Sequence, residues 1–327
     1  MFAKPRPTSS KNNLLGILYT LAHALTVPLL YVIVKEITKD ISSAQAVFFY
    51  KFALLIILTP WLLKGGLALL KTKKIHLHLL RSVISTVASI CIMHAVKSID
   101  IIDVTAVTYL ENVLVVIVGV ALFREPGSVT KLISITLSCL GMLLVVYPDL
   151  ITFSLKDANF DFGKSAEFNR HYVFLLIAVS LQFINLMVIK IIGHTESNKQ
   201  QLFYLTFLSS ISAFFAAFVQ WEGVNFMGLD IAIPAGLSFS SLNHLGMHHL
   251  YLVVGMALCY LTHSVSIFKA FQCSEMSVIA PFDYTRLVFS GVYGFLFFQE
   301  VPHYSSYIGY TLIIIAGIYL IRAEVKK

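Results

Sequence analysis

The sequence predicts an all-α membrane protein, with ten transmembrane helices arranged as two inverted five-helix repeats. Three observations predict it. Of 327 residues, 57% are hydrophobic and 13% charged, against a charged share of about 25% in soluble domains. The mean hydropathy is +0.82, too apolar for a chain of this size to wrap in a polar shell. Apolar runs of spanning length recur ten times, and the second half of the chain repeats the first in register.

A span needs about 20 residues, because a rise of 1.5 Å per residue must cross roughly 30 Å of hydrocarbon. Residues 1–13 form an expected cytoplasmic segment with Lys4, Arg6 and Lys11. The first repeat, 14–147, holds spans at 14–34, 43–63, 77–96, 104–123 and 129–147. Ala22-His23-Ala24 resembles a signal-peptidase site, but the apolar run continues to Val34, too long for a signal h-region. Residues 148–170 form an outer connecting loop. The second repeat, 171–321, holds spans at 172–192, 202–221, 250–271, 278–298 and 304–321, with an outer insertion at 222–249. Residues 322–327 form a cytoplasmic tail.

The net charge of +7 and isoelectric point near 9.1 do not make a nucleic-acid stripe, because the basic residues are scattered through loops. They set orientation instead. With the N-terminus inside, inner segments carry sixteen Lys and Arg against six outside, which predicts cytoplasmic termini in a bacterial inner membrane. Cys91, Cys139, Cys259 and Cys273 lie in or beside apolar segments, without metal or disulfide spacing.

The repeat appears when 97–126 is moved by 175 positions onto 272–301. Tyr109/Tyr284, Val113/Val288, Gly119/Gly294, Phe123/Phe298 and Glu125/Glu300 then coincide, and Ile133/Ile308 and Thr136/Thr311 keep the register. Earlier spans pair at a shift near 154, as in Phe49-Tyr50 against Phe203-Tyr204. Five spans per half is odd, so the second half must be inverted, and inverted repeats around a central site mark transporters.

Arg81, His94-Ala95-Val96-Lys97, Phe268-Lys269-Ala270-Phe271, the turns at Phe123-Arg124-Glu125-Pro126 and Phe298-Gln299-Glu300-Val301-Pro302, and Gly141, Gly309 and Gly317 carry a resemblance. The chain resembles the EamA family of the drug/metabolite transporter superfamily over nearly its whole length. Ala280-Pro281-Phe282-Asp283-Tyr284-Thr285 is similar to a bacterial subgroup that includes S-adenosylmethionine uptake carriers. The resemblance implies a secondary carrier with alternating access. The chain departs from the pattern at Asn112 and Leu287, where the family has prolines, and in the 222–249 insertion.

Lys51, Glu111, Asp283 and Arg286 are the ionisable residues deep in predicted spans. Each costs about 2.5–3.5 kcal/mol at mid-membrane, so they must face the bundle interior. Glu111 and Arg286 coincide under the 175 shift, where the family is uncharged. Two readings stand: a structural ion pair between spans 4 and 9, with Asp283 supporting Arg286, or a central binding or coupling site. Tyr109, Tyr284, Asn112, Gln182 and Asn185 join the candidate substrate-binding or coupling set. Tyr50, Tyr204 and Tyr260 can stack on a cationic ligand or simply pack. His23, His94 and His263 can relay protons or bond a neighbouring helix. His244 and His248 have metal-ligand spacing but no further ligand nearby, so no metal is expected. Glu125 and Glu300 are expected to cap the helices that follow them.

No nucleophile elbow, phosphate loop or catalytic metal motif is present. The expectation is a cofactor-free carrier rather than an enzyme, moving a small polar or amphipathic metabolite, with S-adenosylmethionine uptake as the leading candidate. Export of amino acids or drug-like metabolites, and a non-transporting scaffold, are the alternatives. The expected partners are the solute and the lipid bilayer, not nucleic acid, and a homodimer is left open.

Overall fold

The computed structural model describes residues 13–63, 72, 74–111, 113–114, 129–147, 152–153, 160–161, 169–193, 196, 198–226, 229–237, 246–274 and 282–325. Ten helices lie among them: α1 (Asn13–Ile37), α2 (Ser43–Leu63), α3 (Ile75–Val96), α4 (Ile101–Thr108), α5 (Val129–Val146), α6 (His171–Gly193), α7 (Asn198–Phe218), α8 (Met247–Cys273), α9 (Thr285–Phe298) and α10 (Tyr304–Val325). Six windows, in α1, α2, α3, α6, α7 and α8, are long and apolar enough to cross a membrane; α5, α9 and α10 contain shorter apolar stretches. The second half of predicted span 4, the N-terminal segment up to residue 12, Asn112 and Glu125 lie outside the described residues.

Two antiparallel hairpins amend the all-α expectation. Strands β1 (Thr152–Phe153) and β2 (Phe160–Asp161) pair within the connecting loop. Strands β3 (Val219–Phe226) and β4 (Leu229–Leu237) pair with Glu222 opposite Ile233 and a register shift at Gln220/Trp221. Helix α7 therefore stops at Phe218 rather than at 221. Hydropathy carries straight through Val219 and Trp221, which are apolar in either conformation, so the change of period was invisible to it.

The helices turn apolar faces outward, with Phe215 66% and Leu132 65% exposed, while Ser82, Thr105 and Ser290 are fully enclosed. That distribution suits lipid, where an exposed leucine costs nothing and an exposed hydroxyl must find an acceptor. Many hydroxyls solve this within their own helix by bonding the carbonyl one turn back: Thr20 to Gly16 at 3.0 Å, Thr86 to Ser82 at 2.9 Å, Thr105 to Ile101 at 2.9 Å and Ser290 to Arg286 at 2.8 Å.

Most of the extensive helix contacts follow an exchange rule, which those of α2 with α3, α1 with α3, α4 with α5 and α1 with α4 do not. Helix α1 packs on α8 and α3 on α6; α1 on α9 and α4 on α6; α2 on α8 and α3 on α7. Adding or subtracting five from each label turns the first member of each of these couples into the second. The remaining major contacts, α2 with α7, α4 with α9 and α5 with α10, map onto themselves. At the α5–α10 contact the backbones touch. A Cβ on Gly141 would meet the Gly309 carbonyl oxygen at 2.7 Å, and one on Gly309 would meet that of Gly141 at 2.6 Å.

Polar networks mark two ends of the bundle, separated by the 22 residues of α3, about 33 Å of helix. At one end the last turn of α1 meets the residues after α9 and the start of α4: Lys35 Nζ donates to Glu300 Oε1 at 2.5 Å and to the Ile99 carbonyl at 3.2 Å, and Ile101 N–H donates to Glu300 Oε2 at 2.8 Å. Beside them Asp103 accepts from Tyr310 at 2.5 Å and Tyr172 at 2.9 Å, and Tyr172 also reaches the Val145 carbonyl at 3.4 Å. The end of α5 thus lies with the starts of α4, α6 and α10. At the opposite end Glu196 bonds Thr72 and His78.

Candidate functional site

The two helices that meet across the halves, α4 and α9, both tighten locally at a tyrosine. Helix α4 stops at Thr108, Tyr109 forms a turn and a further helical turn begins at Leu110; Phe282 and Asp283 are helical, Tyr284 is a turn and α9 proper begins at Thr285. The two tyrosines have almost the same backbone, φ −66° and ψ −13° at Tyr109 against φ −66° and ψ −15° at Tyr284. They are the identical pair of the 175-residue shift. Both angle pairs lie in the right-handed helical region, Tyr109 N–H donates to the Ala106 carbonyl at 3.2 Å and Leu287 N–H to the Tyr284 carbonyl at 3.1 Å, so each tyrosine marks a local tightening of the helix rather than a break.

The tyrosines face each other with ring centroids 4.9 Å apart, and Tyr109 OH donates to the carbonyl of Asp283 at 2.9 Å. Tyr284 lies against Gly317 of α10 so closely that a Cβ there would sit 1.4 Å from its hydroxyl. Arg286 stacks over the Tyr109 ring at 4.5 Å and pairs with Asp283 Oδ2 at 3.8 Å. Ser290 and Thr105, both enclosed, bond across the same α4–α9 contact at 2.7 Å. The other carboxylate oxygen, Asp283 Oδ1, is 3.4 Å from His23 Nε2, yet it is buried without a hydrogen bond. His23 in turn meets His263 of α8, with their Nδ1 atoms 2.8 Å apart and rings 4.7 Å apart.

Four of the sequence candidates, Tyr109, Asp283, Tyr284 and Arg286, therefore meet in one cluster. Glu111 stands within electrostatic range of Arg286 and Tyr31, but among the described residues the ion pair of Arg286 is with Asp283. The expected pair between spans 4 and 9 is replaced by a bond within α9's own first turn and a cation–aromatic contact to Tyr109. Of the two histidines expected either to relay protons or to bond a neighbouring helix, His23 reaches the carboxylate from α1 and His263 of α8 contacts His23. Their only sequence signal was a polar side chain in an apolar run.

Lys51, Gln182 and Asn185 lie elsewhere. The Lys51 ammonium bonds Ser85 Oγ at 3.4 Å and Thr86 Oγ1 at 3.2 Å, in a setting of further hydroxyls: Thr86 meets Ser212 at 2.8 Å, and Ser210 Oγ bonds the Lys51 carbonyl at 3.2 Å. Arg81 donates to Asn185 Oδ1 at 3.2 Å and Gln201 Oε1 at 3.5 Å, and Asn185 donates to Gln182 at 3.3 Å. A row of rings joins this region to the cluster: Tyr50 to Tyr260 at 5.6 Å, Tyr260 to His263 at 5.7 Å, then His23 and Asp283.

Two acids also depart from their expected places. Glu300 caps α4 across the halves rather than α10, the helix that follows it, because Gln299 turns the chain left-handed at φ 56° and folds the carboxylate back toward the start of α4. Asp103, placed just outside span 4 by hydropathy, is only 8% exposed and held by two tyrosines. Asp100, in the turn ahead of α4, has its carboxyl pushed above the ordinary range by burial and by Glu300, against the pull of Lys35. No group of three or more metal-ligating side chains is assembled among the described residues.

The model of the EamA-like transporter family matches residues 14–147, the first five-helix unit. Two kinds of curated relative extend the likeness to nearly the full chain. The pseudopaline exporter CntI of Pseudomonas aeruginosa is 23% identical over 312 residues, 94% of this chain and 96% of its own. The S-adenosylmethionine uptake transporter of Rickettsia prowazekii is 21% identical over 318 residues, 97% of this chain and 96% of its own. The namesake from Rickettsia bellii is 21% identical over 293 residues, 89% and 88% of the two chains. The protein is a membrane protein of transporter type.

Proposed function

We propose that the protein is a secondary carrier of ten spans in two inverted repeats, moving a small zwitterionic or cationic metabolite by alternating access around the Tyr109–Asp283–Tyr284–Arg286 cluster. The observation that carries the reading is the buried cluster in which the repeat-equivalent Tyr109 and Tyr284 meet each other, Asp283 and Arg286 at the α4–α9 contact. The exchange rule in helix packing supports two related halves, and the grouping of helix ends supports their opposite orientation. Both termini are cytoplasmic in this reading and the membrane is a bacterial inner membrane, on the Lys/Arg distribution.

Asp283 is the substrate or coupling carboxylate. One of its oxygens lacks a hydrogen bond inside the bundle, an expensive state for a polar atom unless a ligand or proton fills it. Tyr284 and Tyr109 offer aromatic faces beside it for a cationic group. S-adenosylmethionine, with a sulfonium and an amino-acid end, is the first substrate to test, since uptake transporters of that solute are among the relatives. Export is the second reading, favoured by the similar identity to the pseudopaline exporter.

Purified protein in proteoliposomes should take up labelled S-adenosylmethionine down a gradient, and Asp283→Asn should abolish the flux in protein that still unfolds cooperatively, its Tm lowered by the loss of the Arg286 pair. Full flux in the Asn variant at limiting substrate rejects the role of Asp283. Efflux without uptake, measured in vesicles of both orientations, selects the exporter.

A further inference from the structure

Two histidines stand in line behind Asp283. Asp283 Oδ1 lies 3.4 Å from His23 Nε2 of α1, and His23 Nδ1 lies 2.8 Å from His263 Nδ1 of α8. The row has a buried middle and two partly open ends. The His23 side chain is 7% exposed, that of Asp283 is 24% exposed, and His263 is half-buried. Arg286, Tyr284 and Tyr109 face Asp283 from α9 and α4, and Glu111 stands within electrostatic range of Arg286. On the α8 side Tyr260 faces His263, with Tyr50 of α2 behind it, and Lys269 lies over Tyr19, one turn before His23.

Each contact in the row needs a hydrogen between its two atoms, because facing lone pairs repel and a neutral imidazole donates from one nitrogen only. Two arrangements supply both hydrogens. In the first, Asp283 is ionised, His23 donates from Nε2 toward Oδ1, and His263 donates from Nδ1 to His23. In the second, Asp283 is protonated and donates from Oδ1 to His23 Nε2, His23 donates from Nδ1, and His263 keeps its hydrogen on Nε2. The His263 carbonyl, 3.5 Å from His23 Nδ1, is a further acceptor for that second form. The two forms differ by one proton. A proton arriving at His263 Nε2 sends one from His263 Nδ1 to His23 Nδ1 and one from His23 Nε2 to Asp283 Oδ1. Three bonds to hydrogen form, two break, and both rings start and finish neutral. The 3.4 Å contact needs to close by only a few tenths of an ångström for the last transfer.

We propose that His23 and His263 pass a single proton to and from Asp283, and that this proton is the coupling ion of the transport cycle. The coupling role rests on the carrier reading; the proton path itself does not. Protonated Asp283 offers no charge to the cationic end of a solute, so proton and solute exclude each other at that carboxylate. The carrier then exchanges solute for proton, and solute collects on the acidic side of the membrane.

The test uses the full chain, in lipid nanodiscs and in proteoliposomes. Infrared spectra taken between about pH 4 and pH 9 follow the C=O stretch of protonated carboxyls, and the part missing from Asp283→Asn belongs to Asp283. Its midpoint should move by about one pH unit, a tenfold change in proton affinity, or more in His23→Gln. In proteoliposomes of the wild type, an interior one pH unit more acidic should accumulate S-adenosylmethionine about tenfold. His263→Gln, which can hold a hydrogen bond but cannot pass a proton on, should lose far more of this response than of solute-for-solute exchange at equal pH. That exchange needs no net proton movement. A structural histidine would lower both alike. No Asp283 band in that range, a wild-type flux indifferent to the gradient, or equal losses in His263→Gln overturns the proposal. Should His23→Gln fail to fold, the wild-type gradient response and His263→Gln decide. A midpoint that depends on the histidines, with no flux of S-adenosylmethionine, upholds the proton path and rejects that solute.

Discussion

The Lys35–Glu300 end of the bundle and the surroundings of Lys51 and Arg81 treat buried charge in opposite ways. At the first, an ammonium meets a carboxylate at 2.5 Å, the carboxylate also takes the first N–H of α4, and Asp103 close by takes two tyrosine hydroxyls. At the second, two cations rest on serine, threonine and amide oxygens alone. The first arrangement is complete within the chain and ties four helices together. The second has no carboxylate partner among the described residues. Charge that a fold satisfies internally serves assembly, while charge it leaves over is available to something that comes and goes.

The sharpest way to break this contrast is at Glu300. Glu300→Gln leaves Lys35 enclosed with a neutral partner and should cost about 3–5 kcal/mol in reversible unfolding from detergent, with Lys35→Met plus Glu300→Gln recovering a large part of it. An additive double mutant would show that the pair is not coupled. A smaller loss, about 1.5–3 kcal/mol, is expected for Tyr310→Phe, which removes one of the two donors to Asp103 without a cavity. The smallest effect belongs to Lys51→Met. It deletes a charge whose bonds are to neutral hydroxyls, and its stability should stay within about 1 kcal/mol of wild type or rise. Should Lys51→Met prove as damaging as Glu300→Gln, the two regions do the same job and the contrast fails.

The Tyr109/Tyr284 pair was legible in the sequence as an identity under a fixed shift, but not as a ring-to-ring contact, because a shift relates positions and carries no distance. Asp283 was found because a carboxylate in an apolar run is conspicuous. His23 and His263 were weighed and set low, since a polar residue in a span says only that it faces inward. Asp103 and Arg81 escaped because they sit near span ends, where hydropathy is forgiving and side chains of either fate look alike.

By itself the sequence determined that the chain lives in a membrane and where most helices lie, and it predicts related halves. These follow from apolar length and periodicity, which are properties of local segments. Only the tertiary structure decided that Arg286 turns to Asp283 rather than Glu111, that Glu300 caps α4, that β3 begins at Val219, and that Lys51 and Arg81 rest on neutral oxygens. The contacts of Lys51, Arg81 and Glu300 join residues 34 to 199 positions apart in the chain. A buried charge takes the partner that packing delivers, and sequence spacing carries no record of that delivery.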